Sequence, residues 1–158
     1  MTDVAVAVHG LLRERGQTVA TAESLTGGLV GAALSELPGS STVFRGGVIV
    51  YATDLKASLA GVSEDLLAEV GPVSPGVAGA LAAGVRSRLG ADWGIGITGV
   101  AGPDPQDDKP VGTVHVGVAG TGEPVVASLA LSGDRDDIRR KSVRAALTLL
   151  RDVLTERG

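Results

Sequence analysis

Ala22-Glu23-Ser24-Leu25-Thr26-Gly27-Gly28 lies between a short apolar stretch, Thr18-Val19-Ala20, and a helix-like segment, Leu29 to Leu34. The placement predicts a strand handing over to a helix, and a chain built on such handovers is an α/β protein. A helix start presents unpaired N–H groups and the positive end of the helix dipole. Gly27 and Gly28 let a ligand come close to that backbone. A hydroxyl at Ser24 or Thr26 can therefore cap the helix, belong to an anion site or act as a nucleophile. The run is not a nucleoside-triphosphate loop, because no Lys-Ser/Thr pair follows the glycines.

Working outward, apolar residues at helical spacing over 3–15 predict a first helix, stopped at Gly16. Residues 17–22 read as a strand and 24–37 as a helix closed by Pro38-Gly39. Val43 to Tyr51 reads as a second strand with a bulge at Gly46-Gly47. Ser63 caps a helix over 64–70, with Glu64 and Asp65 in its first turn. Ser74-Pro75 opens another, with proline at the first helical position, running to Leu89 and ended by Gly90. Residues 93–100 (WGIGITGV) read as a buried strand, 99–110 as a turn-rich acidic loop, and 112–119 with 125–131 as a hairpin-like pair. Asp134 begins a last helix reaching Glu156, supported by the pairs Asp136–Arg140 and Asp137–Lys141. The order α-β-α-β-α-α-β-β-β-α predicts one domain over 1–158, a three-layer α/β/α fold with a mixed sheet.

The totals narrow the function. The 158 residues are 44% hydrophobic but only 2% aromatic, so the core is built from Val, Leu, Ile and Ala. Glycine is abundant and dispersed, which points to close backbone packing and tight turns. A net charge of −4 and the lack of aromatics argue against a nucleic-acid partner. The absence of cysteine excludes disulfides, thiol catalysis and thiolate-held metal. His9 and His115 lack metal-ligand spacing, so no metal is expected. Asp3 and Glu14 interrupt the start of the chain, and no apolar run approaches the roughly 18–20 residues of a membrane span. A soluble cytoplasmic protein without a signal peptide is expected.

Three more places are chemically loaded. Tyr51 and Lys56 follow the second strand, and strand ends in α/β sheets are where ligand crevices form. A partly desolvated lysine has a depressed pKa and can deprotonate a serine; the alternative is an edge tyrosine and a solvated lysine. Thr98-Gly99-Val100-Ala101-Gly102-Pro103 runs from a strand end into a glycine-rich turn, either an anion cradle or simply a turn. Arg135 and Arg139 share a face of the last helix, suited to a phosphate or carboxylate or merely solvated. His115, in an apolar strand, reads as structural.

These segments, in this order, resemble the C-terminal domain family of CinA proteins, which includes stand-alone nicotinamide-nucleotide amidohydrolases. The resemblance rests on AESLTGG (22–28), PGSSTVFRGGVIVYATDLKASLAGV (38–62), GPVS (71–74), ITGVAGP (97–103), KPVGTV (109–114) and SGDRDDIRR (132–140), and covers residues 5–150. It implies a three-layer α/β/α fold with a mostly parallel five-stranded sheet, one strand antiparallel. It also implies hydrolysis of the carboxamide of nicotinamide mononucleotide to nicotinate mononucleotide and ammonia. No cofactor or metal is implied, and a homodimer or higher homo-oligomer is. The larger N-terminal domain of full-length CinA proteins is absent from this sequence.

Carried onto these positions, Ser24 is the nucleophile, Lys56 its general base, and Tyr51 a helper in proton transfer or substrate placement. Thr26, Gly27 and Gly28 become oxyanion or substrate contacts. Thr98, Gly99 and Gly102 become substrate contacts, as does Arg135 or Arg139. The chain departs from the family pattern at Leu25, where cysteine is usual, at Ala52-Thr53, where Ser-Asn is usual, and after Pro103, where a glycine pair is usual. An amidohydrolase acting on another amide, and a non-catalytic nucleotide-sensing module linked to competence or damage responses, are the alternatives.

Overall fold

The computed structural model describes residues 2–157. Its elements are α1 (Thr2–Arg15), β1 (Val19–Glu23), α2 (Leu29–Ser35), a 3₁₀ turn (Ser40–Thr42), β2 (Phe44–Ile49), α3 (Thr53–Ser58), α4 (Glu64–Val70), α5 (Pro75–Leu89), β3 (Trp93–Gly99), β4 (Thr113–Ala119), β5 (Val125–Ala130) and α6 (Arg135–Glu156). The strands form one sheet in the order β2-β1-β3-β4-β5. β1 runs parallel to β2 and β3, whereas β4 is antiparallel to both β3 and β5. Four strands thus share one direction and only β4 opposes them.

Strand alternation sends side chains to two cores. Val19, Trp93, Ile95, Ile97, Val114, Val116 and Val118 join the core under α1, α2 and α6. Ala20, Ala22 and Val50 join the core with Val77, Leu81 and Val85 of α5. The second face is built for close approach. A methyl group on Gly96 would meet Ala78 O at 2.4 Å and Ala82 N at 2.5 Å, and one on Gly117 would meet Ala78 O at 2.5 Å. The Gly-Ile-Gly-Ile alternation of β3 therefore gives a flat seat for α5 on one face and branched side chains for the core on the other. Gly94, Gly96 and Gly117 supply this packing, whereas eleven other glycines take positive φ.

Helix ends follow the expected chemistry in three places. Ser63 Oγ accepts from Leu66 N, Ser74 Oγ from Val77 N, and Asp134 forms a reciprocal capping box with Asp137. Asp137 pairs through its other oxygen with Arg140 at 2.7 Å rather than with Lys141, which donates to Ser132 O.

Three expectations are corrected. The helix expected over 24–37 is only Leu29–Ser35, because Gly27 and Gly28 take left-handed φ values of 58° and 108° and open a turn. Ser24 is consequently not its cap. The β2 irregularity falls between Phe44 and Gly46, one residue before the expected bulge, where Val19 and Ala20 of β1 skip Arg45. Residues 53–58, read simply as following a strand, form α3. No helix among the described residues is long and apolar enough to cross a membrane.

Gly96→Ala should lower stability by roughly 2–3 kcal/mol, because α5 must lift off the sheet. Gly10→Ala, on a helix face with nothing within 4 Å of the added methyl, should raise it by roughly 0.5–1 kcal/mol. Urea unfolding of both variants measures the contrast.

Candidate active site

The site forms where β1, β2 and β3 end. β1 alternates faces to its last residue, so Glu23 and Ser24 leave on opposite sides. Glu23 is 2% exposed and turns toward α2. Its Oε1 accepts from Thr26 Oγ1 at 2.6 Å, Gly28 N at 3.2 Å and Val30 N at 2.8 Å, and Oε2 accepts from Gly31 N at 2.9 Å. This carboxylate does the capping that Gly28 cannot, since α2 has no side-chain cap and no acidic residue in its first turn. Sequence reading gives Glu23 no role, because a helix beginning at Ser24 has its own hydroxyl cap; the need for Glu23 follows only from the helix starting at Leu29.

Ser24 turns the other way and meets Lys56 of α3. Lys56 Nζ lies 3.1 Å from Ser24 Oγ, 2.8 Å from Val50 O and 3.3 Å from Tyr51 O. The lysine is 2% exposed. No carboxylate among the described residues forms an ion pair with it. Burial alone therefore works against its charge and lowers its pKa from 10.5 to about 8,. The three contacts suit both protonation states. As an ammonium, Nζ donates to all three oxygens. As an amine, it keeps two N–H groups on the carbonyls and turns its lone pair to the Ser24 hydroxyl.

Ser24, Tyr51, Lys56, Thr98, Gly99, Gly102 and Arg135 all line one cavity of about 100 Å³, together with Leu25, Thr53, Asp104 and Gln106. Thr98 Oγ1 donates to Pro72 O at 2.8 Å, which fixes the loop before α5 as a wall of the cavity. At the mouth, Arg135 donates to Gly102 O at 2.6 Å and to the Tyr51 hydroxyl at 3.3 Å. That guanidinium ties the first turn of α6 to the glycine turn after β3 and to the end of β2.

Thr26, Gly27, Gly28 and Arg139, also singled out in the sequence, do not line this cavity. The Gly27 N–H is bonded to Ser24 O and the Gly28 N–H to Glu23, so neither is free to meet a substrate oxygen. Arg139 lies behind the turn, donating from Nε to Leu25 O at 2.9 Å and from Nη2 to Thr26 O at 3.3 Å. His115 is remote from this chemistry and shares a 2.8 Å hydrogen bond with Ser128 Oγ. No group of three or more His, Asp or Glu among the described residues is placed to hold a metal ion.

Comparison with known proteins gives a consistent picture. The sequence pattern of the CinA C-terminal domain matches residues 1–154. A CinA-like protein of Frankia casuarinae is 56% identical over 147 residues, covering 93% of this chain and 34% of that protein. A putative competence-damage inducible protein of Halothermothrix orenii is 46% identical over 142 residues, covering 89% and 34%. The chain spans about a third of the length of these curated relatives. The crystal structure of a CinA superfamily protein from Klebsiella pneumoniae superposes with a TM-score of 0.94 at 29% identity, covering 98% of each chain. That of the competence/damage inducible protein CihA from Agrobacterium tumefaciens gives 0.89 at 34% identity, covering 97% of this chain and 96% of that one.

Burial of Lys56 has a consequence for stability. The lysine keeps its proton to pH 10.5 in the unfolded chain but only to about 8 in the fold. Between these values the unfolded state binds more protons, so stability rises with pH, and the penalty is fully present below pH 8. Lys56→Met removes the penalty. Its stability relative to the parent should fall by on the order of 2 kcal/mol between pH 7 and pH 10.5 in paired urea titrations.

Proposed function

The chain belongs to the CinA C-terminal domain family, and we propose that it is an amidohydrolase that releases ammonia from the carboxamide of nicotinamide mononucleotide. The observation that carries this reading is the buried Ser24–Lys56 contact at 3.1 Å, made by a lysine with no carboxylate ion pair among the described residues. An amide is a poor electrophile, so its hydrolysis needs an activated nucleophile, a site for the oxyanion and a proton for the leaving amine. A serine paired with a lysine is a known variant of serine–histidine chemistry.

In this reading Lys56, as the amine, takes the Ser24 proton while Oγ attacks the carboxamide carbon. The resulting ammonium returns a proton to the departing nitrogen. Ammonia leaves, and water hydrolyses the acyl-serine with Lys56 again as base. Arg135, at the cavity mouth, meets the substrate phosphate, and Tyr51, tethered to Arg135 through its hydroxyl, places the substrate over Ser24. Thr98, Gly99 and Gly102 form the wall against which the nucleotide rests. The functional unit in this reading is a homodimer or higher homo-oligomer acting on a small nucleotide, with no organic cofactor.

Purified protein should release ammonia from nicotinamide mononucleotide. Ser24→Ala and Lys56→Ala should each reduce kcat by on the order of 10⁴-fold or more while circular dichroism stays unchanged. kcat/KM should rise with pH through about 8, as Lys56 loses its proton,. Full turnover by Ser24→Ala would remove the assignment. Competition with other amides reads out the substrate preference.

A further inference from the structure

Burial divides the residues that line the cavity into a floor and a rim. Ser24, Lys56 and Thr98 are 8%, 2% and 1% exposed and form the floor. Tyr51, Thr53, Asp104, Gln106 and Arg135 line the same cavity but are exposed, and so stand at its rim. The volume of about 100 Å³ is well below the roughly 300–1,000 Å³ of sites that enclose a whole ligand. The cavity therefore takes in one end of a mononucleotide and leaves the rest outside. With the carboxamide carbon on Ser24, the end taken in is the carboxamide and its ring. The ring nitrogen carries the ribose, so it faces outward, at the level of the rim.

Three charged side chains line this space: Lys56 at the floor, and Asp104 and Arg135 at the rim. Lys56 acts as the neutral amine in the reading above, which leaves one carboxylate and one guanidinium to meet the substrate's charges. Asp104 is the only acid among the described residues that line the cavity, and it forms no ion pair among them. Arg135 donates to Gly102 O. Asp104 follows Gly102 by two residues, so its Cα lies within about 7 Å of the Gly102 Cα. The two opposite charges thus stand close together on one side of the rim. Asp107 and Asp108, farther along the loop, do not line the cavity.

We infer that Asp104 is the specificity residue for a cationic ring: its carboxylate receives the pyridinium while Arg135 takes the phosphate, an inference resting on the amidohydrolase reading above. A pyridine bearing ribose on its nitrogen is a cation, and the phosphate beyond the sugar is an anion. The rim matches this zwitterion charge for charge. A carboxylate accepts hydrogen bonds and donates none, so Asp104 also repels the phosphate and directs it to the guanidinium. A neutral ring of the same outline keeps the Arg135 contact and loses the other. Because Asp104 is exposed, water and salt screen the attraction, and its effect on affinity is about fivefold.

Reduced nicotinamide mononucleotide tests this, because its dihydropyridine ring has nearly the same outline without the positive charge. Calorimetry measures the binding of both nucleotides to Ser24→Ala, which lacks the nucleophile. The oxidised form should bind about fivefold more tightly than the reduced form. In Ser24→Ala/Asp104→Asn the ratio should fall toward one, through weaker binding of the oxidised form alone. Raising the ionic strength should narrow the ratio only where Asp104 is present. Asp108→Asn in the Ser24→Ala background should leave the ratio unchanged; asparagine accepts the φ of 61° at that position,. A ratio of one before any change at Asp104 overturns the inference, as does a ratio that survives Asp104→Asn. An equal loss in Asp108→Asn overturns it too, by assigning the preference to the whole loop. Failure of both nucleotides to bind would remove the nucleotide reading itself, a result distinct from any change in the ratio.

Discussion

The buried carboxylate of Glu23 is the constraint on which the site depends. It sits at the end of β1, whose backbone is paired on one side to β2 and on the other to β3. From that fixed position it gathers one hydroxyl and three backbone N–H groups of the turn and of α2. A charged acceptor makes stronger hydrogen bonds than a neutral one, and removing it would leave several buried donors unpaired at once. The path of the chain from Ser24 to Gly31 is therefore dictated from its inner side. Because side chains alternate along a strand, the residue after this anchor must face the opposite layer, where α3 carries Lys56. One strand end supplies both the anchor and the reactive hydroxyl.

Lys56 occupies a place where charge is disfavoured but hydrogen bonding is complete. The two carbonyls that hold it come from Val50 and Tyr51, at the end of β2, and the third partner is Ser24, at the end of β1. Neighbouring parallel strands thus deliver all three acceptors to one point. The apolar packing of Val50, Leu55 and Ala60 around this helix keeps water from restoring the charge. A carboxylate among the acceptors would have held the lysine as a cation and left no base. The carbonyls satisfy its N–H groups without holding the proton, which is the property the proposed chemistry requires.

Much of this was legible in the sequence, and the reasons differ by element. Caps at Ser63, Ser74 and Asp134 were readable because the capping chemistry is local. The three-layer architecture was readable because alternation of strand and helix runs leaves few arrangements. Clustering of Ser24, Tyr51, Lys56, Thr98 and Arg135 was foreshadowed by their places at strand ends and a helix start, which an α/β sheet brings to one edge. Three things lay beyond reach. The Gly27-Gly28 turn depends on backbone φ values that residue type permits but does not impose. α3 is six residues long, too short for helical periodicity to register. The division of labour between Arg135 and Arg139 is a matter of tertiary contact, since both share one helical face.

That division follows from the geometry of α6. Its Asp134 cap and Asp137 box fix the register of the first turn. Residues four apart on a helix are separated by about 6 Å along the axis, so Arg135 and Arg139 leave the same face at two heights. The upper one reaches the cavity mouth, at Gly102 O and the Tyr51 hydroxyl. The lower one reaches the back of the β1–α2 turn, at Leu25 O and Thr26 O. A single helix therefore holds the rim of the cavity and the backbone behind the hydroxyl at a fixed spacing. α6 itself is held over the sheet by Ile138, Val143, Leu147 and Leu150, all in the core it shares with β3 and β4. Because α6 carries both arginines, any shift of that core moves the cavity rim and the back of the turn together.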